Sequence, residues 1–524
     1  MLKKIRLTLE LIFFVGITLL FLDFSGTVQP LLGWMAKLQF LPNVMRLNWG
    51  VLLILLALTL LFGRIYCSVI CPLGAFQDVF ARIGKWKLFR RNKKAKFANN
   101  YSYSKPKTWL RLTVLLLFIV MLVAGFNAGA VLLAPYSAYG RMVASLLQPV
   151  YIYINNVLAA WSESNDNFWF YQVESHNNPA LLLAVSGVTA VVLMVLAFMN
   201  GRIYCNTICP VGTVLGYLSR FSWMKIQIDE DKCIKCGLCA KNCKAACINI
   251  QKGTPATIDA TRCVACGDCE GVCNKQAIRY APVTKFAKKT EPAEKADDLS
   301  RRSFLSVVGT ATVATALQAQ EKTTDGGLAV IEDKQIPERK TPLTPAGSLS
   351  ARNLQQHCTA CQLCIANCPN GVLRPSTSME HFMQPEMEYE KGYCRPECTR
   401  CADVCPAGAI RPITKEEKTS IQIGHAVWIQ KNCVPAEEGI PCGNCARHCP
   451  SGAIQMVPLD KELKQNEEGL WVDEYGTVLN QERIIMMPAV NTEKCIGCGA
   501  CEYVCPARPF SAIYVEGHEV HREI

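Results

Sequence analysis

A chain of 524 residues is long enough for three or more domains. Half of it is hydrophobic and only 19% is charged, which argues against a purely soluble protein and for membrane segments. The formal charge of +12 is local in origin: Arg82 to Lys107 holds ten Lys or Arg and no Asp or Glu, and its position between two apolar runs reads as a membrane loop rather than a nucleic-acid patch.

Four apolar runs occupy the first 200 residues: Leu7–Leu22, Trp49–Phe62, Trp109–Phe126 and Ala180–Met199. They approach the ~20 residues a helix needs to cross the hydrocarbon core; the second is short unless Arg64–Ile70 extends it, and a buried core helix is its rival reading. Lys3, Lys4, Arg6 and the ten-cation loop place the N-terminus and the second loop in the cytoplasm by the positive-inside rule, so four crossings return the chain to the cytoplasm near Gly201. The third loop, Asn127–Asn178, carries Tyr136, Tyr139, Trp161, Trp169 and Tyr171, which suit an interfacial aromatic belt or line a quinone pocket. His176 in that loop is a candidate proton acceptor for quinol, against the plainer reading of a surface histidine.

The second and fourth runs end in near-copies, "GRIYCSVICPLG" from Gly63 and "GRIYCNTICPVG" from Gly201. The proline after each second cysteine fits the first position of a new helix. The 29 cysteines of the chain are grouped, and the grouping gives their use. "CIKCGLCAKNC" supplies Cys233, Cys236, Cys239 and Cys243, and "CVACGDCEGVC" supplies Cys263, Cys266, Cys269 and Cys273. Both follow the C-x2-C-x2-C-x3-C ligand run of two-cluster ferredoxins, in which the fourth thiolate reaches the neighbouring cluster. One [4Fe–4S] cluster is therefore expected on Cys233, Cys236, Cys239 and Cys273, and a second on Cys263, Cys266, Cys269 and Cys243, with Cys247 a rival for the place of Cys243. Zinc fits poorly, because zinc motifs pair two close cysteines with two distant ligands.

Between the halves, Ser300-Arg301-Arg302-Ser303-Phe304-Leu305 matches a twin-arginine export signal, followed by a run of small residues with a possible cleavage point at Ala314-Thr315-Ala316. The flanking stretches 274–300 and 320–350 read as linkers. Four further motifs follow: Cys358, Cys361, Cys364 and Cys368; Cys394, Cys398, Cys401 and Cys405; Cys433, Cys442, Cys445 and Cys449; Cys495, Cys498, Cys501 and Cys505. Each ends in Cys-Pro, and the middle two have a lengthened first gap. Disulfides are the rival for an exported domain, and the repeated motif speaks against them. "PAGAI" after Cys405 and "PSGAI" after Cys449 look like short strand-and-turn pieces of ferredoxin folds. The count is six [4Fe–4S] clusters on 24 cysteines. Cys247 and the four cysteines of the GRIYC stretches are left over. Cys67, Cys71, Cys205 and Cys209 thus form a candidate fourfold thiolate site for a metal, a cluster or redox-active thiols.

The expected architecture is an α-helical membrane domain (1–225, four transmembrane helices), a cytoplasmic two-cluster α+β ferredoxin-like domain (226–285), a linker (286–350) with a fifth, twin-arginine signal or anchor helix at 300–319, and a periplasmic four-cluster ferredoxin-type domain (351–524). With those motifs the first 285 residues resemble the NapH family and the last 225 the NapG family, here joined in one chain. The resemblance implies a bacterial inner-membrane quinol dehydrogenase component that passes electrons from the quinone pool to a periplasmic cytochrome or reductase. It also implies pairing of the first and last of the four later motifs, so that Cys358, Cys361 and Cys364 take Cys505 while Cys495, Cys498 and Cys501 take Cys368. The middle two would pair likewise, Cys394, Cys398 and Cys401 with Cys449, and Cys433, Cys442 and Cys445 with Cys405. Methylamine-utilisation and nitrous-oxide-reductase maturation proteins share the modules, so two alternatives stand: an accessory electron donor for maturing or reactivating a periplasmic metalloenzyme, and outward transfer from cytoplasmic ferredoxin. No haem-attachment motif, P-loop or dinucleotide fingerprint is present in the sequence.

Overall fold

A computed structural model describes residues 2–84, 101, 103–167, 169–173, 179–250, 256–283, 324–325, 329–330, 332–459, 463–466, 470–472 and 484–524. The twin-arginine stretch, the proposed anchor helix and His176 lie outside the described residues.

Twelve helices are described in the first 219 residues: α1 Leu2–Leu22, α2 Gln29–Lys37, α3 Phe40–Arg46, α4 Trp49–Phe62, α5 Pro72–Ile83, α6 Thr108–Val123, α7 Asn127–Leu133, α8 Pro135–Met142, α9 Gln148–Glu163, α10 Ala180–Asn200, α11 Ile203–Thr207 and α12 Pro210–Ser219. Among the described residues, three helical runs are long and apolar enough to cross a membrane: Lys3–Leu22, Pro135–Glu163 and Ala180–Asn200. Two of them match expected crossings. The other two expected runs form shorter apolar helices, Trp49–Phe62 and Thr108–Val123.

The third long run falls where the sequence reads as a loop. Its polar residues conceal it. Ser137, Arg141, Ser145, Gln148 and Asn155 recur at helical spacing and are all buried, while Leu147, Val150, Ile154 and Val157 face outward. Arg141 donates to Val131 O, Gln148 to Ala366 O and Asn155 to Tyr171 O. The proposed aromatic belt divides accordingly: Tyr136 and Tyr139 are core residues, whereas Trp161, Trp169 and Tyr171 are exposed. Elsewhere the outward faces of α4, α6 and α10 expose Leu53, Ile54, Leu116, Val120, Val188 and Val191, an apolar girdle suited to lipid.

The helices fall into two similar halves, α1–α5 and α6–α12. Each half opens with an apolar helix, α1 or α6, and later runs α4 or α10 into a GRIYC stretch; the second half also holds the long run Pro135–Glu163. Gly63 (φ 72°) and Gly201 (φ 67°) end α4 and α10 in the left-handed region, which lets the chain swing back into the bundle. Residues 66–70 form a π-helical turn packed on α1. As the sequence predicts, Pro72 and Pro210 open α5 and α12.

Strand β1, Met224–Ile228, leaves the bundle, and β2 Ile248–Asn249, β3 Thr257–Ile258 and β4 Ile278–Pro282 complete the first ferredoxin-like unit. β1 pairs antiparallel with β4 (Ile226 opposite Tyr280) and β2 with β3 (Ile248 opposite Ile258). Beyond residue 350 the main sheet is an antiparallel pair, Ile421–Trp428 with Ile513–Glu523. "PSGAI" leads into the strand Ile454–Pro458, as expected, whereas "PAGAI" is a bend with no strand.

The two cysteine-rich units dock on opposite ends of the bundle. At one end Lys3 pairs with Asp268 (2.9 Å), Trp223 N–H donates to Leu60 O (2.7 Å) and Tyr280 O–H to Phe62 O (2.8 Å). At the other, Asn367 donates to Leu20 O (3.1 Å), Asn127 to Gln356 O (3.0 Å) and Arg400 to Phe24 O and Ser25 O (3.1 and 2.8 Å). At 1.5 Å rise per residue, the 17 steps of α1 from Lys3 to Leu20 hold these contacts roughly 25 Å apart.

Candidate functional site

The cysteine loops show what the spacing does. In the four regular motifs the residues before and after the second cysteine both have positive φ: Lys235 and Gly237, Ala265 and Gly267, Ala360 and Gln362, Gly497 and Gly499. Alternating these left-handed residues with cysteines curls the loop, so that its thiols face one point and its N–H groups face inward. Four of the eight are not glycine, an arrangement that costs about 1 kcal/mol each and persists where the surroundings over-determine it. Ala360 N–H donates to Cys358 Sγ, Ala277 N–H to Cys273 Sγ and Ala512 N–H to Cys505 Sγ, each at 3.3 Å. Donors to sulfur of this kind stabilise thiolate ligands.

In the first unit the cysteines fall into two groups. One small cavity is lined by Cys233, Cys236, Cys239 and Cys273, and Cys243 lies within electrostatic reach of Cys263, Cys266 and Cys269. Cys247 Sγ stands 3.4 Å from Cys243 Sγ and also bonds to the Cys263 thiol, so it shares that site rather than lying apart.

The later four motifs pair differently from the resemblance. A second cavity is lined by Cys433, Cys442, Cys445 and Cys505. Cys449 lies within electrostatic reach of Cys495 and Cys498. Likewise Cys405 faces Cys358, Cys361 and Cys364, and Cys368 faces Cys394 and Cys401. The first motif therefore pairs with the second and the third with the fourth. The cause is local packing. Helices Leu363–Ala366 and Arg400–Val404 pack on each other, as do Asn444–Arg447 and Ala500–Val504. Each such pair carries the last cysteine of one motif to the other's triad. The long gap of the third motif folds as a short helix, Val434–Glu438, between Cys433 and Cys442. Lys418, which the sequence reading missed, donates to Cys394 Sγ (3.2 Å) and Arg395 O (2.6 Å); no motif marks it, because it acts from a separate helix.

Inside the bundle the structure brings Cys67, Cys71, Cys205 and Cys209 together. All four are buried and within electrostatic reach of one another. The two halves interlock through their arginines. Arg202 Nη1 donates to Cys67 O (2.5 Å), and Arg64 Nη2 donates to Cys205 O (3.2 Å). Arg64 Nη2 also reaches Cys67 Sγ (3.8 Å), Gln77 Nε2 donates to Cys205 Sγ (3.3 Å), and Gly212 N–H to Cys209 Sγ (3.3 Å). The glycine of each Cys-Pro-x-Gly is required by space. A Cβ on Gly74 would fall 2.2 Å from Cys67 O, and one on Gly212 would fall 2.3 Å from Cys205 O.

A buried charge network joins this centre to the first ferredoxin-like unit. Asp78 accepts from Arg202 Nε (2.6 Å) and Lys244 Nζ, and Arg6 stands 3.8 Å away. Lys244, next to Cys243, also pairs with Asp268 (3.2 Å). Burial opposes ionisation of Asp268, but the charges of Lys244 and Lys3 outweigh it and bring its pKa down to about 2. Arg64 Nη1 donates to Thr261 O (3.2 Å), two residues before Cys263.

Family profiles match several parts of the chain. Residues 50–95 and 182–228 each match a 4Fe-4S binding domain, 226–249 match another, and 357–409 and 440–508 each match a 4Fe-4S dicluster domain. The chain is an iron–sulfur protein with ferredoxin-type domains. One dicluster match encloses the first two of the later motifs, and the other covers the fourth motif and all of the third except Cys433. Among relatives, an uncharacterized protein of Methanocaldococcus jannaschii is 32% identical over 110 residues, 20% of this chain and 43% of the relative. The putative electron transport protein YccM of Escherichia coli is 26% identical over 212 residues, 39% of this chain and 47% of the relative. The methylamine utilization ferredoxin-type protein MauN of Paracoccus denitrificans is 25% identical over 197 residues, 37% of this chain and 53% of the relative. The chain thus spans about half the length of these relatives. No solved structure matches it.

Proposed function

We propose that the protein is a membrane-bound electron-transfer protein of the bacterial inner membrane that oxidises quinol and delivers electrons to a periplasmic cytochrome or reductase. The observation that carries this reading is the placement of cluster-binding units at opposite ends of one apolar bundle, with a buried fourfold thiol site between them. Bound [4Fe–4S] clusters supply one-electron chemistry; the chain's own residues position them. The six cysteine groups hold six such clusters. The first unit, 226–285, lies on the cytoplasmic side with the cation-rich loop, and residues 320–524 lie on the periplasmic side, exported through the twin-arginine stretch at 300–305.

The two matches to a 4Fe-4S binding domain within the bundle hold only two cysteines each, Cys67 with Cys71 and Cys205 with Cys209. A fourfold thiolate ligand set needs both halves, and the crossed arginines bring them together. Cys67, Cys71, Cys205 and Cys209 therefore hold a further iron–sulfur centre. The hydrocarbon core is ~30 Å thick, and a centre inside it gives electrons an intermediate stop. Similarity to the methylamine utilization ferredoxin-type protein MauN leaves a second reading, an accessory electron donor for maturation or reactivation of a periplasmic metalloenzyme.

Anaerobic membranes given menaquinol test the leading reading. Bleaching of the iron–sulfur absorbance with about 24 irons for six cubanes, plus an excess from the bundle centre, is the expected result. A full iron count with no bleaching refutes quinol oxidation. Equal iron in the variant with all four bundle cysteines changed to serine refutes the added centre.

A further inference from the structure

A cavity of about 290 Å³ opens where the bundle meets the first ferredoxin-like unit, and we propose that it is the quinol-binding site. This rests on the quinol reading above and deepens it by naming the place. The volume is near the lower end of ligand pockets, room for a ring but not for its tail.

Three features select an amphiphilic ring with oxygens as the guest. First, the wall contains Cys263, a thiol of the cluster group nearest the bundle, so a bound ring lies against an electron acceptor. Second, the polar lining includes buried groups with unused capacity. Arg64 is fully buried, and its Nε has no hydrogen-bond partner among the described residues; Gln227 Oε1 is buried and likewise unpartnered. A donor and an acceptor left open on two lining residues match a ring with a hydroxyl and a ring oxygen, and an unfilled buried group of this kind is costly. Third, the residues flanking the lining segments are exposed and apolar: Leu61 and Phe62 before Gly63, and Phe221 and Trp223 around Ser222. An isoprenoid tail leaving the cavity meets these side chains at the bundle surface.

The chemistry balances with what the site offers. Quinol becomes quinone by losing two electrons and two protons. An iron–sulfur cluster held by Cys263, Cys266, Cys269 and Cys243 would take the two electrons singly, the first passing on to a further cluster before the second is accepted. The protons leave to water at the open side of the cavity. Arg64 also donates to Thr261 O and reaches Cys67 Sγ, so one side chain touches the quinol cavity, the cluster loop and the bundle thiols.

The test uses the full chain in detergent with a photoreactive azidoquinone, mapping the label by mass spectrometry and competing with menaquinol. Label within 219–228 or 256–265, suppressed by menaquinol, is expected. Ile258→Trp, which fills the cavity, should cut that label at least about tenfold at an unchanged iron count, with Ala256→Phe as the second filling variant should the first lose iron. Gly187→Ala, with nothing near its added Cβ, serves as the control. Label elsewhere, label indifferent to the filling variants, or a tightly held phospholipid that quinone does not displace overturns the site. If menaquinol still bleaches the wild-type clusters in those cases, the quinol reading survives and only its location fails. If it bleaches nothing, the reading itself fails.

Discussion

Asp78→Asn should loosen the first ferredoxin-like unit from the bundle. Asp78 is 1% exposed and neutralises three buried cations, Arg202 and Lys244 by direct contact and Arg6 from 3.8 Å. Glu10 takes part of that load, at 3.2 Å from Arg6 and 3.9 Å from Arg202, but Lys244 keeps, among the described carboxylates, only Asp268. Removing one partner of a buried pair costs ~3–5 kcal/mol, because the remaining charge stays desolvated. At 1.4 kcal/mol per tenfold, that is roughly two to three and a half orders of magnitude in the opening equilibrium of the joint. Hydrogen exchange of residues 238–247 and 263–270 in the detergent-solubilised chain reads it directly. Lys232→Ala, which breaks the exposed pair with Asp229, should leave exchange close to that of the unaltered chain. The double variant Asp78→Asn with Lys244→Met should recover part of the loss, since it no longer strands the lysine. Exchange in Asp78→Asn no faster than in Lys232→Ala refutes the latch.

The remaining predictions concern other parts of the chain. Gly74→Ala should cost about 1–3 kcal/mol, since its Cβ meets a backbone carbonyl that cannot swing away, and a melting curve compared with Gly187→Ala checks it. Cys505→Ser should expose Cys433, Cys442 and Cys445 to alkylation while Cys358, Cys361 and Cys364 stay protected; mass mapping with iodoacetamide separates this from the first-with-last pairing. Burial, helped by nearby His518, holds His521 down at a pKa of about 4. Its unfolded form binds a proton below about 6.5 while the folded form does not, so the contribution is complete above that value and declines as pH falls toward 4. The loss reaches up to ~2 kcal/mol by pH 5, and His521→Gln should flatten the melting temperature between pH 7 and 5.

The cysteine chemistry was legible because it is local. Ligand spacing is fixed by the covalent loop, so the six motifs and the grouping of the first unit could be read from neighbours in sequence. The pairing of the later motifs was not, because it depends on which short helices pack together, and the four Cys-Pro endings look alike. The long helix Pro135–Glu163 was hidden by the residues that bury it: Arg141 and Gln148 satisfy partners inside the protein, yet count against a membrane segment on any scale that treats them as solvated. Asp78 and Lys244 were illegible for a related reason. They belong to segments 166 residues apart, and nothing in either segment names the other.

The bundle centre carries a charge imbalance that bears on what it holds. Arg202 has Asp78 beside it, and its charge is matched. Arg64 is equally buried, yet among the described residues no carboxylate pairs with it; its partners are the Asn206 side chain, two carbonyls and Cys67 Sγ. A lone desolvated cation costs several kcal/mol, and a charge of opposite sign nearby offsets it. Four thiolates around an iron centre supply that charge, whereas four neutral thiols do not. Arg64→Met should therefore remove the iron in excess of the six proposed ferredoxin-type clusters and leave those clusters at full count. Arg64→Lys keeps the charge but loses the fork that spans two backbone carbonyls, and should retain part of it. Full iron in Arg64→Met would mean that the arginine is neutralised by something other than the bundle thiolates, and the case for a charged centre at Cys67, Cys71, Cys205 and Cys209 would fall with it.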